Sequence, residues 1–283
     1  MAHSYRLVVS CPDQVGIVAR VSNFIAAQGG SITEANQHSD LATGRFFMRY
    51  EIRFASSVDD EILRIAFAPI AETFSMDWAF HDTQRRKRIV LMVSRASHCL
   101  VDLLYRWKAD ELDCEIPCVI SNHEDLRDLV EWHGIDFHHV PVPTTDKTHA
   151  FEETRRRIEA ARADAVVLAR YMQILPPALC EHYAGRVINI HHSFLPSFAG
   201  ARPYHQAYER GVKLIGATCH YVTQELDAGP IIEQDVHRIS HCHTAQDLVR
   251  FGRDIEKAVL ARGLRWHLED RVLIHGNKTV VFA

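Results

Sequence analysis

Between residues 88 and 190 short apolar runs alternate with longer amphipathic ones, and this alternation restricts the fold more than any other feature of the chain. The apolar runs are RIVLMVS (88–94), CEIPCVIS (114–121), FHHVPV (137–142), ADAVVLAR (163–170) and RVINI (186–190). Each has the length of a strand buried on both faces. EDLRDLVEWHG (124–134) and HAFEETRRRIEAARA (149–163) lie between them and carry helical periodicity. Strands that alternate with helices build a mostly parallel, Rossmann-like α/β sheet with helices on both faces. Beyond residue 213 the pattern turns more β-like, with KLIGATCHYVT and GPIIEQDVHRI. A long helix over 244–270 and a hairpin turning at Gly276-Asn277 close the chain.

The first eighty residues follow a different rhythm. YRLVVSC (5–11) predicts a strand, and residues 12–30 a helix with Asp13 as its cap, Gly29-Gly30 as its end and Val15, Val18, Val21 and Ile25 as its stripe. Residues 32–40 and 45–55 alternate like a hairpin, 58–74 read as a helix that Pro69 should kink, and 76–82 as a last strand. The order βαββαβ gives a ferredoxin-like antiparallel sheet with both helices on one face. Its other face or an edge is left open for pairing. The basic run TQRRKR (83–88) reads as a solvated linker, so the expected domains are 1–84 and 85–283.

Composition excludes several classes. With 47% hydrophobic and 24% charged residues in 283, the chain is an ordinary globular one with room for about two domains. A net charge of −4 calls for neither nucleic acid nor a membrane surface, no run is long enough to span a bilayer, and MAHSYRLVVSCPDQ shows no secretory signal. Seven scattered cysteines suggest reduced thiols and a cytoplasmic location. Cys114 and Cys118, four apart in one expected strand, read as structural rather than metal-binding. His241-Cys242-His243 reads as a polar loop, with metal binding the less favoured alternative.

The functional signal lies where the apolar strand RVINI runs into HHSFLP (191–196). Ligands of open parallel sheets bind beyond the carboxyl ends of the strands, so these polar residues should face a cleft. Asn189 and His191, two apart, point to the same side of a continuing strand. Alone, either reads as a buried, hydrogen-bonded side chain. Beside HYVTQELDAGPII (220–232) they join Asp227. An amide can polarise a carbonyl, an imidazole can donate a proton, and a carboxylate can orient either the imidazole or a water. There is no G-x-S-x-G, H-E-x-x-H or C-x-x-C pattern. The set suits acyl or formyl transfer without a covalent enzyme intermediate.

NIHHSFLPSFAG (189–200) followed by DAGPI (227–231) resembles the formyltransferase domain that uses 10-formyltetrahydrofolate, over roughly residues 86–283. The resemblance assigns catalysis to Asn189, His191 and Asp227. It places LARYMQIL (168–175) where the family's backbone grips the pterin ring, so Met172, Gln173 and Leu175 become folate-site residues. PDQVGIVARVSNFIAAQGGSI (12–32) resembles an ACT domain, which implies an amino-acid effector near Asp13 and Gly16 and a homo-oligomer. Two departures matter. No glycine lies between Val93 and Leu104, where the glycinamide ribonucleotide transformylases carry a phosphate-binding loop. His192 replaces a proline usual in those enzymes, and becomes a candidate water or acceptor contact.

The full order, ACT domain then formyltransferase domain with SHCL (97–100) in place of the glycine loop, resembles the formyltetrahydrofolate deformylase family. That implies hydrolysis of 10-formyltetrahydrofolate to formate and tetrahydrofolate, supplying formate for purine biosynthesis and balancing one-carbon pools. The folate is then the substrate, and no cofactor or metal is expected. The alternative is formyl transfer to a small amine such as glycinamide ribonucleotide.

Overall fold

The computed structural model describes residues 3–56, 58–196 and 203–283. It divides the chain into two compact units, Met1–Arg86 with Glu269–His275 and Val280–Ala283, and Lys87–Leu268 with Gly276–Thr279. The division differs from the expected one in the C-terminal tail, part of which belongs to the first unit.

That unit runs β1 (His3–Pro12), α1 (Ile17–Ala27), β2 (Gly30–Asp40), β3 (Arg45–Phe54), α2 (Asp60–Thr73) and β4 (Asp77–Asp82). The strands form an antiparallel sheet in the order β2-β3-β1-β4. Tyr5, Leu7, Val9 and Cys11 alternate inward from β1 and share one core with Ile17, Val21, Phe24 and Ile25 of α1 and Leu63, Phe67 and Ile70 of α2.

Three expectations need correction here. α1 begins at Ile17, because Gly16 stands at φ 98 and turns the chain out of helical geometry. Val15 and Val18 are therefore exposed, and the buried stripe is Ile17, Val21, Phe24 and Ile25. Asp13 does not cap the helix: no side-chain cap bond is made, and the Asp13 backbone N–H donates to Gly44 O at 2.8 Å. The second face of the sheet is not bare either. Phe47 and Arg49 point away from the helices and are fully buried. Arg49 donates to Glu269 O at 3.0 Å, and the Phe47 ring meets His275 at 5.4 Å, so the returning C-terminal segment covers this face.

Farther along come β5 (Lys87–Val93), α3 (His98–Lys108), β6 (Cys114–Glu115), β7 (Cys118–Ser121), α4 (Arg127–Trp132), β8 (Asp136–His139), α5 (Thr148–Ala160), β9 (Ala165–Leu168) and α6 (Pro177–His182). They are followed by β10 (Val187–His191), α7 (Pro203–Arg210), β11 (Leu214–Tyr221), β12 (Ile231–Arg238), α8 (Ala245–Leu268), β13 (Val272–His275) and β14 (Lys278–Val281). The main sheet has the order β12-β11-β10-β9-β5-β7-β8, with β6 beside β5. Strands β10 to β8 of that order are parallel, and β11 and β12 add antiparallel edges.

The single strand expected over 114–121 is broken at Ile116-Pro117, because proline has no N–H to give a ladder. Cys114 and Cys118 are both buried thiols, but they do not share one continuous strand. No helix among the described residues is long and apolar enough to cross a membrane.

The strand order positions the site. The chain goes outward from β5 to β7 and β8, then crosses back to β9 and β10 on the other side of β5. Such a reversal opens a crevice at the carboxyl ends of the strands flanking it.

Candidate active site

A cavity of about 560 Å³ lies at this crevice, within the size range of pockets that enclose one small-molecule ligand. Its walls include Leu168 at the end of β9, Arg170 and Met172 just beyond it, Asn189 and His191 at the end of β10, and the 222–227 loop after β11.

Asn189 and His191 project from the same side of β10, as the period of two requires. Antiparallel pairing sets Asn189 directly opposite His220 of β11. His220 Nδ1 lies 2.9 Å from Tyr221 O and so carries the hydrogen, which leaves Nε2 to accept. The Asn189 Nδ2 group donates one hydrogen to that Nε2 across 3.1 Å. Its second hydrogen remains for the cavity. Burial lowers the His220 pKa despite its bond to the Tyr221 carbonyl, which keeps the ring neutral and accepting.

Asp227 arrives from the loop between β11 and β12 in the left-handed region, φ 54. Tight loop geometry explains the glycine two residues on. A Cβ on Gly229 would stand 1.8 Å from Tyr221 O, so only glycine lets the loop lie this close to β11. Asp227 Oδ1 lies 3.3 Å from His191 Nδ1 and 3.8 Å from His220 Nε2. The hydrogen bond from His191 holds the Asp227 carboxyl below its ordinary range, outweighing burial, so it is ionised at neutral pH. His191 is itself buried, and its Nε2 has no hydrogen-bond partner among the described residues.

His192 turns the other way, its ring 5.1 Å from that of His191 and 6.4 Å from that of Tyr204. Burial, with the neighbouring charge of Arg170 and His191, pushes its pKa down to about 4. His192 is neutral at physiological pH and can accept a hydrogen bond.

The sequence-expected folate residues also lie on the cavity wall. Leu175 is buried and apolar, while Met172 is exposed at the mouth. The Met172 N–H donates to Ser94 Oγ at 3.0 Å, and Gln173 accepts from Lys147 at 3.1 Å. Asp13 and Gly16 belong to the first unit and to the turn after β1. The His241-Cys242-His243 segment is an exposed turn in which His243 Nδ1 accepts from the Ser240 N–H, and it gathers no further ligands among the described residues.

Sequence reasoning missed His220 and the polar group His98, Arg170, Tyr204 and Glu256. His220 stands at the head of the HYVTQELD stretch, but its role needs the β10–β11 register, which no local pattern reveals. Ser197 to Gly200, part of the motif quoted for the resemblance, fall outside the described residues.

Asn, His and Asp thus converge on one cavity with an amide hydrogen and an imidazole nitrogen free. Comparisons with known proteins bear on the fold and the family of the chain. The formyl transferase family model matches residues 87–264, and the ACT domain model residues 5–65. The chain is 50% identical to the formyltetrahydrofolate deformylase of Bacillus subtilis over 98% of its length and 93% of that protein's. The crystal structure of a formyltetrahydrofolate deformylase from Pseudomonas syringae pv. tomato superposes with a TM-score of 0.97 at 66% identity, covering 100% of this chain and 95% of that one. A glycinamide ribonucleotide transformylase from Symbiobacterium toebii matches less closely, with a TM-score of 0.67 and 28% identity, covering 72% of this chain and 97% of that one.

Proposed function

The chain belongs to the formyltetrahydrofolate deformylase family, and from that premise we propose how its residues carry out the reaction. The enzyme hydrolyses 10-formyltetrahydrofolate to formate and tetrahydrofolate. The folate takes the apolar end of the cavity beside Leu175, with the backbone around Met172 and Gln173 against its ring. Its formyl group lies among Asn189, His191 and Asp227. Water attacks the formyl carbon, and the developing oxyanion accepts from the spare Asn189 N–H and from His191 Nε2. Asp227 orients His191 and takes a proton from the attacking water, directly or through a water chain. As the C–N10 bond breaks, His191 Nε2 gives N10 its proton. Folate is the substrate throughout, and no separate cofactor takes part.

One observation carries this reading: an imidazole held through Nδ1 by an ionised carboxylate, its buried Nε2 otherwise unpartnered. The test is pure protein with 10-formyltetrahydrofolate and no acceptor. Stoichiometric formate and tetrahydrofolate are expected. Added glycinamide ribonucleotide should be neither formylated nor inhibitory, and efficient transfer to it would refute the assignment.

We further propose that the enzyme works in the cytoplasm, where its formate feeds purine biosynthesis and its activity balances one-carbon pools. The ACT unit is regulatory, with an amino acid such as methionine or glycine bound near Asp13 and Gly16. The protein is a homo-oligomer. The outer strand β2 supports that last point, being eleven residues long and largely exposed.

A further inference from the structure

The same cavity is also lined by His98, Arg170, Tyr204 and Glu256, with the Tyr204 ring 6.4 Å from that of His192. If the folate fills the apolar end, as proposed above, the nucleophile enters from this side. Glu256 on α8 is 1% exposed, yet both its oxygens are engaged. Tyr204 O–H donates to one at 2.7 Å. The other lies 2.8 Å from His98 Nε2 and 3.3 Å from Arg170 Nε. Burial pushes this carboxyl up, but the bond from His98 and the charge of Arg170 bring it below the ordinary range. A buried carboxylate with its acceptor sites occupied has little left to offer a ligand.

An independent feature points to the same contact. Gly252 sits inside α8, one turn before Glu256, where glycine costs the helix about 1 kcal/mol relative to alanine. A Cβ there would lie 2.0 Å from Tyr204 Cζ and 2.3 Å from its hydroxyl. The bare position is what lets the Tyr204 ring lie on α8 and reach Glu256.

We propose that Tyr204, Glu256 and His98 form a brace that fills the acceptor side of the cavity and thereby makes water the nucleophile. The brace links the start of α3, α7 and α8. The ring and the imidazole occupy the space an amine-bearing acceptor would need, and the carboxylate is too well satisfied to bind one. Water passes His192 and attacks the formyl carbon; its oxygen joins carbon, the C–N10 bond breaks, and N10 gains a proton. With the brace opened, an amine nitrogen makes the same attack, giving an N-formyl amide and tetrahydrofolate as the amine's proton is lost and N10 is protonated.

The test uses full-length enzyme with 10-formyltetrahydrofolate and excess glycinamide, a primary amine without phosphate, measuring formate and N-formylglycinamide together. Wild type should give formate almost alone. In Tyr204→Ala and His98→Ala the amide-to-formate ratio should rise on the order of tenfold or more, the scale at which pocket shape discriminates between substrates. Tyr204→Phe, which keeps the ring and loses only the hydroxyl, should raise it less. If either alanine variant misfolds, Gly252→Ala displaces the same ring and should raise the ratio too. Wild-type hydrolysis with an unchanged ratio in every folded variant overturns this inference alone. Loss of both products from folded variants that still bind folate also overturns it, because the residues would then serve the chemistry itself. A wild type that releases no formate sinks the hydrolase reading as well.

Discussion

Asn189 and His220 stand directly opposite each other on antiparallel strands, with Asn189 Nδ2 3.1 Å from His220 Nε2. The Tyr221 carbonyl fixes the hydrogen on the far nitrogen of the ring, 2.9 Å away. A neutral histidine thus decides which way the amide faces, and the Asn189 N–H groups cannot swap with its oxygen without losing this bond. Substituting His220 by Phe removes the acceptor but keeps the bulk. The expected result is a kcat lowered by about 10²-fold, approaching the loss of an oxyanion donor, with KM little changed. Steady-state kinetics on the folded variant check this, and an unchanged kcat would mean that Asn189 needs no such support.

Asp227→Asn removes the charge that holds His191, 3.3 Å away, while conserving shape. Turnover should fall by about 10²- to 10⁴-fold, the usual scale for an acid–base group, while folate binding persists. Residual activity above about a tenth of wild type would rule out the assigned role. Because the Asp227 pKa is depressed, its contribution to stability is complete above the unfolded carboxylate pKa of about 3.9 and is lost only as pH falls below that. An activity loss between pH 5 and 7 would therefore have to come from another group.

Gly229→Ala should damage the same carboxylate from a distance. The new Cβ cannot coexist with Tyr221 O at 1.8 Å, so the loop must move away from β11 and take Asp227 with it. A drop of about 1–3 kcal/mol in unfolding free energy and a lower kcat are expected together. Denaturant melts and kinetics on one sample suffice, and a variant of wild-type stability and rate would contradict the geometry.

His192 gives a pH signature. Its folded pKa, about 4, lies below the unfolded histidine value of about 6.5. Between these two values the unfolded chain binds a proton that the folded enzyme refuses, so stability declines as pH falls through this window. His192→Gln should flatten that decline, and His220, depressed in the same direction, should account for part of what remains. Urea midpoints at pH 7.5 and pH 5 for both proteins measure the difference. Parallel slopes would show that His192 titrates normally.

The first unit predicts a response to amino acids in the intact enzyme. Asp13 and Gly16 lie in the turn after β1, where Gly16 at φ 98 admits no ordinary side chain without strain. A panel of amino acids, methionine and glycine among them, should change the rate of wild type, and Asp13→Ala should blunt the response without altering basal turnover. Indifference of the wild type to every member of the panel would leave the unit without an effector.

The sequence by itself determined the order of elements, because strand and helix periodicities are local and each apolar run needed a partner layer. It also determined that Asn189 and His191 share a side, since two residues along a strand always do. Asp227 could be named beforehand because DAGP is a contiguous string whose resemblance to a family is carried by the string itself. The start of α1 could not be placed, because valines at 15 and 18 continue the helical period through a glycine that breaks it. Tertiary structure alone decided the rest. His220 becomes functional only through the register of β11 on β10, and Glu256 only because α8 returns across the sheet to meet His98, Arg170 and Tyr204. The buried second face of the first sheet likewise depends on Glu269 and His275, which return more than two hundred residues later to meet Arg49 and Phe47. A periodicity is a short-range property of the chain. These contacts join segments far apart in sequence, and their geometry is fixed only when both sheets have formed.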